Sequence, residues 1–405
     1  MRTCLAALLL LAHRALSQDT GIIAGVWLDD PDTPQAFNAR MGLKMGSFQV
    51  ATSIPYDLDA AGIIYNDPHT EKQYAYLSNV TRWADGTNAS VFMTAYADMR
   101  HPDGRIGMDL VTDESITRLA IRLNAISGRQ VFLRWLPEMN GEWMLYGQKP
   151  VEYVALWIRM YGIFRATAPR VVLVWSPNLD ISDASYFPGE QYVDWVGCSV
   201  YFKGYGVNSL VDQSSAATTM SACYSYAQQY NKPFVLSETA AGWEIGSGVS
   251  KLTGATLVAS NEVDHPTFTK SFWAGILNAN VFAQFPLLRG FYIFEVAKQE
   301  EDFYRDYKVG NDSAVTAAFL SLIPPVRQYL IFASDVAVTS ATSGTSSSSR
   351  ATWSATSETP AADTSVPVVT ASPQSFAKTA SASGFPSASA SAIVCVLALF
   401  VLQQQ

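Results

Sequence analysis

The fold is indicated by short apolar stretches that end in polar residues, and the clearest is VFLRWLPEMNGEW at residues 131–143. Its first part, 131–136, predicts a buried β-strand that ends just before Glu138. The stretch KPFVLSE at residues 232–238 predicts a second strand, 234–237, that ends just before Glu238. Six similar runs occupy residues 22–27, 47–52, 91–95, 171–175, 195–200 and 291–294, and residues 62–65 are an alternative to 47–52.

Helical segments are predicted between most of these strands, at residues 112–125, 151–166, 216–229 and 268–282. In the first of them, Thr112 can cap the start and Gly128 can stop the end. Apolar strands that alternate with helices are typical of a parallel sheet. No glycine-rich nucleotide loop follows the first strand, and Gly204-Tyr205-Gly206 is only a fragment of one. The pattern therefore favours an α/β fold, a (β/α)8 (TIM) barrel in one domain at residues 18–332, over a doubly wound sheet.

The two ends of the chain differ in composition from this domain. Residues 1–17 combine Arg2, a short apolar run and a small-residue ending, which predicts a cleaved secretory signal peptide. Residues 333–383 are rich in Ser, Thr and Ala, so we expect a disordered stalk. Residues 384–405 end in a short apolar tail, which predicts a removed glycosylphosphatidylinositol (GPI) anchor signal rather than a transmembrane helix. We therefore expect a secreted protein at the cell surface, GPI-anchored to the plasma membrane or cell wall.

The composition agrees with a secreted protein. A formal net charge of −8 argues against nucleic acid or an anionic membrane as a partner, and we expect a monomer. Of the 4 cysteines, only Cys198 and Cys223 lie in the expected mature protein, where they either pair or remain as two buried thiols. Sequons predict N-glycosylation at Asn79, Asn88 and Asn311. The histidines lack metal-binding spacing, so we expect no metal site, and no cofactor is indicated.

Glu138 and Glu238 each follow a predicted barrel strand. In a TIM barrel the chemistry lies at the carboxyl ends of the strands. A retaining glycosidase needs two carboxyl groups about 5–5.5 Å apart, one as acid/base and one as nucleophile. Two strand ends of one barrel can supply such a pair. For either glutamate alone, capping a helix or pairing with Arg134 is an equally good interpretation.

The segment from Arg134 to Trp143 resembles the strand-four signature of glycoside hydrolase family 26, whose members include β-mannanases and some xylanases and β-glucanases. Further segments are similar to that family in the same order, at residues 174–178, 186–197 and 233–238. The most specific parts are PEMNG at 137–141 and VDWVG at 193–197. The likeness extends over residues 21–322, nearly the whole expected domain.

This resemblance implies a retaining endo-glycosidase that hydrolyses a β-linked polysaccharide, with β-mannan as the first candidate. In that reaction Glu138 would be the acid/base and Glu238 the nucleophile. Tyr201 would donate its hydroxyl to Glu238, and Arg134 would add positive potential beneath the site. Arg134 and Tyr201 would also line the substrate site.

The resemblance further implies that Asn140, Trp143 and Trp175 line the sugar subsites, because aromatic rings suit the C–H faces of sugars. For both tryptophans, packing in the core is the alternative. Trp135 should point away from the site because side chains alternate along a strand. Asp194 begins a strand at the opposite face and is expected to be structural. Other carboxylates that could bind sugar hydroxyls are Asp98, Glu142, Glu190, Glu244, Glu295 and Glu300.

Two departures from the family pattern concern the pocket for the reacting sugar. Pro137 stands where family members usually have a histidine, and the segment 291–295 offers Phe and Tyr where they usually have a Trp. Both glutamates are retained, so we expect altered specificity before lost activity. A catalytically weak or inert barrel that binds glycans at the surface, or serves as a cell-wall structural protein, is the alternative.

Overall fold

The structure, a computed structural model, describes residues 21–29, 31–55, 87–101, 103–126, 128–179, 184–250, 253–300 and 302–334. The predicted signal peptide, the anchor tail and all but the first residues of the predicted stalk lie outside these ranges. So do Asn79 and the alternative strand at 62–65. No helix in the described ranges is long and apolar enough to cross a membrane.

Eight parallel strands form a closed barrel. They pair in order from the first to the seventh, and the eighth pairs with both the seventh and the first. All eight predicted strands are confirmed, and with them the (β/α)8 barrel. The strands are β1 (Ile22–Leu28), β2 (Ser47–Ser53), β3 (Ser90–Tyr96), β4 (Val131–Trp135), β5 (Val172–Trp175), β6 (Trp195–Lys203), β7 (Phe234–Ile245) and β8 (Leu288–Glu295).

Helices pack against the outer face of the barrel. The helix predicted at 112–125 begins at Asp113, because Thr112 and Ser115 cap each other's backbone N–H groups. The helix ends at Ala125, because Ile126 is extended, and Gly128 therefore does not end it. The helices are α1 (Pro34–Met41), α2 (Asp113–Ala125), α3 (Pro150–Thr167), α4 (Gln213–Gln229), α5 (His265–Ala274), α6 (Ala279–Gln284), α7 (Ser313–Leu320) and α8 (Ile323–Val326).

The single helix predicted at 268–282 is wrong, because α5 and α6 are separate helices. Gly275 ends α5, and its backbone N–H binds carbonyls of the last turn. A Cβ at Gly275 would lie 2.6 Å from the carbonyl oxygen of Gln213, so this close approach needs a glycine. Asn278 then caps α6 by accepting the N–H of Asn280.

Short strands extend the sheet beyond the barrel. The far end of β7 pairs antiparallel with Tyr304–Asp306, which in turn pairs with Ala297–Gln299. These two strands, named the rim hairpin below, lie at the carboxyl end of β7, where the site is expected. The remaining short strands are Val207–Asn208, Ser247–Val249, Thr256–Val258, Ser260–Asn261 and Leu330–Ile331, and the short 3-10 helices are Gly107–Leu110, Ala184–Tyr186, Glu190–Tyr192 and Arg327–Tyr329.

The barrel interior is filled by every second side chain along the strands. The Tyr292 ring lies across it, and its hydroxyl donates to Ser47 Oγ at 2.8 Å. A Cβ at Gly25 would lie 2.4 Å from this ring, so β1 needs a glycine there. The apolar layer of the interior consists of Phe92, Phe132, Val174, Val235 and Tyr292.

A disulfide joins Cys198 on the outer face of β6 to Cys223 on α4. The interpretation as two free thiols is therefore wrong. The bridge closes a loop with a sequence separation of 25, and such bridges typically stabilise a fold by about 2–4 kcal/mol. At the amino end of β6, Asp194 accepts the N–H of Leu173 at 2.8 Å and pairs with Arg165, as expected for a structural residue.

Candidate active site

An irregularity in β7 aims Glu238 into the barrel. Leu236 and Glu238 pair with consecutive residues of β6, so β7 has one extra residue, Ser237, between them. A bulge of this kind redirects the side chains that follow it. A Cβ at Gly197 would lie 2.3 Å from Ser237 Oγ, so the glycine in β6 makes room for the bulge. Both Ser237 and Glu238 therefore reach the interior.

Both oxygens of the Glu238 carboxylate accept a hydrogen bond. Oε1 forms an ion pair with Arg134 Nη1, and Oε2 accepts the Tyr201 hydroxyl at 2.5 Å. This is the tyrosine contact that the family resemblance implies. Burial and the adjacent Glu238 carboxylate hold the pKa of Tyr201 well above its ordinary value of 10.0, so the hydroxyl keeps the proton that it donates.

Arg134 lies wholly buried beneath Glu238. Its Nε donates to Ser176 Oγ at 3.0 Å and its Nη2 donates to Ser199 Oγ at 2.8 Å. Together with Glu238, these two serines fix the position of the guanidinium. The expectation of positive charge beneath the site agrees with this position. A direct contact between Arg134 and the sugar is wrong, because the side chain is enclosed.

Glu138 lies in the turn that follows β4. Leu136 and Glu138 have left-handed backbones, with φ of 43° and 54°. Residues other than glycine rarely adopt this conformation, and it is often retained at functional sites. The Glu138 N–H donates to the carbonyl of Ser176 at 2.9 Å, which fixes the turn against the end of β5. The Glu138 Oε2 atom accepts Trp143 Nε1 at 2.9 Å.

Glu138 and Glu238 converge on common neighbours. Burial raises the pKa of Tyr96 well above its ordinary value, and the charges of Glu238 and Glu138 both add to this rise. The same two carboxylates contribute to the raised pKa of Tyr201. Glu138 also donates its N–H to the carbonyl of Ser176, whose hydroxyl accepts Arg134 beneath Glu238, so the two carboxylates lie at the same end of the barrel. Tyr96 ends β3, one residue past the predicted strand, and sequence reasoning missed it.

Four aromatic rings line the side of the site next to Glu238, and they are named the aromatic wall below. Phe294 packs edge-on against Trp27 at 5.6 Å and against Tyr201 at 5.5 Å between ring centroids. Tyr307 packs against Tyr201 at 5.5 Å. Sequence reasoning missed Trp27 and Tyr307. Strand alternation could have found Trp27, because it lies in β1 two residues after the inward-facing Gly25.

Trp143 and Trp175, both predicted sugar contacts, have opposite environments. Trp143 is 60% exposed beside Glu138, so its ring is open to a ligand. Trp175 is 1% exposed and packs against Phe187 and Tyr226 at 5.0 and 5.2 Å, so core packing is the correct interpretation. The register pairs Val174 with Arg134, so Trp175, like Trp135, faces outward.

Asn140 connects two loops at the mouth of the barrel. Its Oδ1 accepts the N–H of Asn178 at 2.8 Å, and its Nδ2 donates to the Asn178 carbonyl at 3.4 Å. Its own carbonyl accepts Gln148 Nε2 at 2.5 Å. The Asn140 side chain thus ties the loop after β4 to the loop after β5.

Three of the carboxylates considered as sugar ligands are engaged within the protein. Glu244 is buried and paired with Arg305, and Glu300 pairs with Lys203 at 2.8 Å. Glu295 is buried and accepts the N–H groups of residues 309 and 310. Burial raises the pKa of Glu295 to about 7, against these hydrogen bonds and the charge of residue 308. The remaining candidates, Asp98, Glu142 and Glu190, are exposed.

Two further groups of predicted residues are placed by the structure. Asn88 and Asn311 are exposed, and Asn88 Oδ1 accepts the N–H of Ser334 at 2.9 Å. Within the described ranges, no group of three or more His, Cys, Asp or Glu side chains is arranged to hold a metal ion.

The sequence matches known proteins around these residues. A sequence model of glycosyl hydrolase family 26 matches residues 53–244, a span that includes Glu138 and Glu238. The chain is 33% identical over 125 residues to a mannan endo-1,4-beta-mannosidase of Bacillus subtilis. The aligned part covers 27% of this chain and 30% of that protein. It is 29% identical over 152 residues to endoglucanase H of Acetivibrio thermocellus, and the aligned part covers 34% of this chain and 17% of that protein. The chain thus spans under a third of these curated relatives.

Solved structures share the fold. The catalytic domain of a GH26 endo-β-1,4-mannanase from Bacillus sp. JAMB-750 is similar with a TM-score of 0.53 at 16% identity. The similarity covers 78% of this chain and 89% of that domain. The fold and the paired strand-end glutamates define a (β/α)8 barrel of the glycoside hydrolase type. The family model, which matches just under half of the chain, and the mannanase relative together support membership of glycoside hydrolase family 26.

Proposed function

We propose that this chain is a retaining endo-glycosidase that hydrolyses a β-linked polysaccharide, with β-mannan as the first candidate. The observation that supports this most is the fixed position of Glu238 between Arg134 and Tyr201, with Glu138 bound to Ser176, the residue that also holds Arg134. The names of the relatives, a mannan endo-1,4-beta-mannosidase and an endoglucanase, favour a β-glycan.

In the first step Glu238 attacks the anomeric carbon, and the bond from that carbon to the leaving oxygen breaks. Glu138 gives its proton to the leaving oxygen, so no alkoxide is released. The donors from Arg134 and Tyr201 each occupy one lone pair of the Glu238 carboxylate. Every carboxylate oxygen has two lone pairs, so each oxygen of Glu238 keeps one lone pair that is available for the attack.

In the second step Glu138, now ionised, takes a proton from water. The water oxygen attacks the anomeric carbon and displaces Glu238, so the product keeps the original configuration. The Trp143 indole N–H, 2.9 Å from Glu138 Oε2, orients the carboxyl group during both steps. The exposed Trp143 ring and the aromatic wall suit the C–H faces of a sugar.

Pro137 and Phe294 support a substrate preference that differs from that of most family members. Pro137 has no side-chain donor, and its carbonyl accepts the Tyr146 hydroxyl at 2.7 Å. Phe294 presents a smaller ring than tryptophan to the site. Without the usual histidine, weak or absent turnover is the competing function, and the chain would then bind glycans without cleaving them.

The proposed activity is tested with a panel of soluble β-mannan, β-glucan and xylan. New reducing ends should appear with at least one polymer and should disappear in the Glu238→Gln variant. Binding of a polymer without release of reducing ends would favour the glycan-binding alternative and contradict the hydrolase.

The role of Glu138 is tested with leaving groups of different acidity. Glu138→Ala should slow cleavage of the polymer by about 10²–10⁴-fold, because its leaving oxygen needs a proton. An activated aryl glycoside does not need that proton, so bond cleavage in its first step should change far less. Equal losses with both substrates would remove Glu138 from the acid/base role.

We also propose that the enzyme acts at the cell surface through a GPI anchor. The disulfide between Cys198 and Cys223 supports an oxidising compartment, where such bridges persist. Phosphatidylinositol-specific phospholipase C should release the protein from intact cells. A protein that stays bound after this treatment and still contains residues 393–402 by mass spectrometry would contradict the anchor.

A further inference from the structure

The turn Gly204-Tyr205-Gly206 follows β6 at the carboxyl face of the barrel, and the proposed reaction does not use it. Tyr205 is 57% exposed, although its side chain is large and aromatic. Its backbone is left-handed, with a φ of 50°. Such a conformation is costly for a residue with a side chain and persists only where the surrounding structure imposes it.

A buried ion pair imposes this conformation. The Glu244 carboxylate is fully enclosed, and its two oxygens accept the backbone N–H groups of Tyr205, at 3.0 Å, and of Gly206. Arg305 balances the charge, with Nε at 2.9 Å and Nη2 at 2.6 Å from Glu244 Oε1. These charge-assisted bonds are stronger than those between neutral groups. They fix the turn and the direction of the Tyr205 side chain.

The Tyr205 ring lies over the buried cation. The guanidinium carbon of Arg305 is 5.9 Å from the ring centroid, and Arg305 is 1% exposed. One side of the ring therefore covers the arginine, a contact that itself stabilises the ring position. The rest of the ring faces solvent. The result is a flat aromatic surface whose orientation is fixed before any ligand arrives, which lowers the entropy cost of binding.

Buried side chains link this turn to the candidate active site. A Cβ on Gly242 of β7 would meet both the Tyr307 ring, at 2.7 Å, and Arg305 Cδ, at 2.9 Å, so these side chains lie side by side. Tyr307 belongs to the aromatic wall and packs against Tyr201. Arg305 and Tyr307 thus connect Tyr205 to the ring that holds the nucleophile.

We propose that Tyr205 is a sugar-binding platform outside the catalytic centre. It stacks against the C–H face of a neutral pyranose unit of the polysaccharide, at a distance from the unit that reacts. The inference rests on the proposed function for the class of its ligand. It adds a binding position that acts on long chains and leaves short ones unaffected.

The experiment measures binding by isothermal titration calorimetry on the full chain with Glu238→Gln, so that no ligand is consumed. The ligands are mannohexaose and cellohexaose, with mannobiose and cellobiose as short counterparts. In this background, Tyr205→Leu keeps an apolar cover over Arg305 but removes the flat ring. It should weaken binding of the better hexasaccharide about tenfold and leave its disaccharide unchanged. Tyr205→Trp should restore the hexasaccharide affinity.

Tyr329→Leu is the matched control, because Tyr329 is 40% exposed and precedes the strand that pairs with the amino end of β1. It should leave all affinities unchanged. The platform is contradicted if Tyr205→Leu and Tyr329→Leu bind the hexasaccharide equally, if the disaccharide weakens as much, or if neither hexasaccharide binds the parent.

The proposed hydrolysis can fail separately. If the enzyme with Glu238 releases no reducing ends but Tyr205→Leu still weakens hexasaccharide binding, the platform stands and the hydrolase does not. If reducing ends are released and Tyr205→Leu has no effect on hexasaccharide binding, the platform alone is wrong.

Discussion

Two buried arginine–glutamate pairs lie along β7, and they differ in what surrounds the glutamate. Glu238 pairs with Arg134 and accepts Tyr201, and it is 8% exposed at the mouth of the barrel. Glu244 pairs with Arg305 and also accepts two backbone N–H groups, so its carboxylate is closed off from solvent. The first glutamate keeps access to a ligand, and the second does not.

Under the proposed mechanism, this difference separates a reacting glutamate from a structural one on the same strand. A buried ion pair does not by itself indicate stability or function, since its net contribution depends on how fully the charges are satisfied. Glu244 has its bonding capacity used within the protein and fixes the Gly204-Tyr205-Gly206 turn. Glu238 is oriented by two donors and retains capacity for a bond to substrate.

Replacement of Glu238 with Gln should have the largest effect and should act on turnover. An amide is a poor nucleophile, so kcat should fall by about 10⁴-fold or more on any substrate that the enzyme cleaves. The measurement is steady-state release of reducing ends, with circular dichroism to show that the variant is folded. Turnover within tenfold of the unsubstituted enzyme would place Glu238 with Glu244 as a structural residue.

Replacement of Arg305 with Met should act on stability instead. It leaves Glu244 as an uncompensated buried charge, so the free energy of unfolding should fall by about 3–5 kcal/mol. Urea denaturation measures this change. Arg105→Met is the control, because its ion pair with Asp103 is exposed and screened by solvent, so its loss should change the free energy of unfolding far less. Similar losses in the two variants would contradict the structural role of the Arg305–Glu244 pair.

Glu295 is another buried glutamate, and its pKa is strongly raised. Burial raises the pKa of Glu295 from 4.5 to about 7, so the folded state favours the protonated form. Its contribution to stability is therefore full below about pH 4.5 and is lost as the pH rises through about 7. The loss is on the order of 3 kcal/mol.

The Glu295→Gln variant does not titrate at this position. The difference in unfolding free energy between the unsubstituted protein and this variant should therefore decrease between pH 4.5 and 7.5. Urea denaturation at a series of pH values gives this difference. A constant difference across the series would show that Glu295 ionises in the folded protein as it does in the unfolded chain.

Replacement of Tyr201 with Phe should have the smallest effect of the four. It removes one hydrogen bond to the Glu238 carboxylate and keeps the ring in the aromatic wall, so kcat should fall by about 10- to 100-fold. Tyr307→Phe is the control, because its hydroxyl binds Glu300 at 3.0 Å and not Glu238. If both variants lose the same activity, the hydroxyl of Tyr201 is not specific to Glu238.

The sequence predicts the barrel well because each strand is a short apolar run with a polar end. It also indicates both glutamates, since each follows such a run. Trp175 was predictable in principle, because the alternation that turns Trp135 outward turns Trp175 outward as well. The wrong helix at 268–282 follows from reading apolar spacing across Gly275.

Other features of the site depend on contacts that no local pattern contains. The bulge at Ser237 shows only in the pairing of β7 with its neighbours, so the aim of Glu238 could not be derived from strand alternation. The roles of Glu244 and Glu295 likewise depend on partners distant in the chain. Tyr307 joins the aromatic wall only because the rim hairpin folds back over the end of β7.

In the proposed mechanism Glu238 forms a covalent bond to the sugar. Incubation with a 2-deoxy-2-fluoro glycosyl fluoride of the best-cleaved oligosaccharide should slow breakdown of the intermediate enough to trap it. Peptide mass spectrometry should then find one sugar attached to the peptide that contains Glu238, and no label in the Glu238→Gln variant. A label on Glu138, Glu244 or any other residue, or steady cleavage of the parent oligosaccharide with inverted product, would contradict the account.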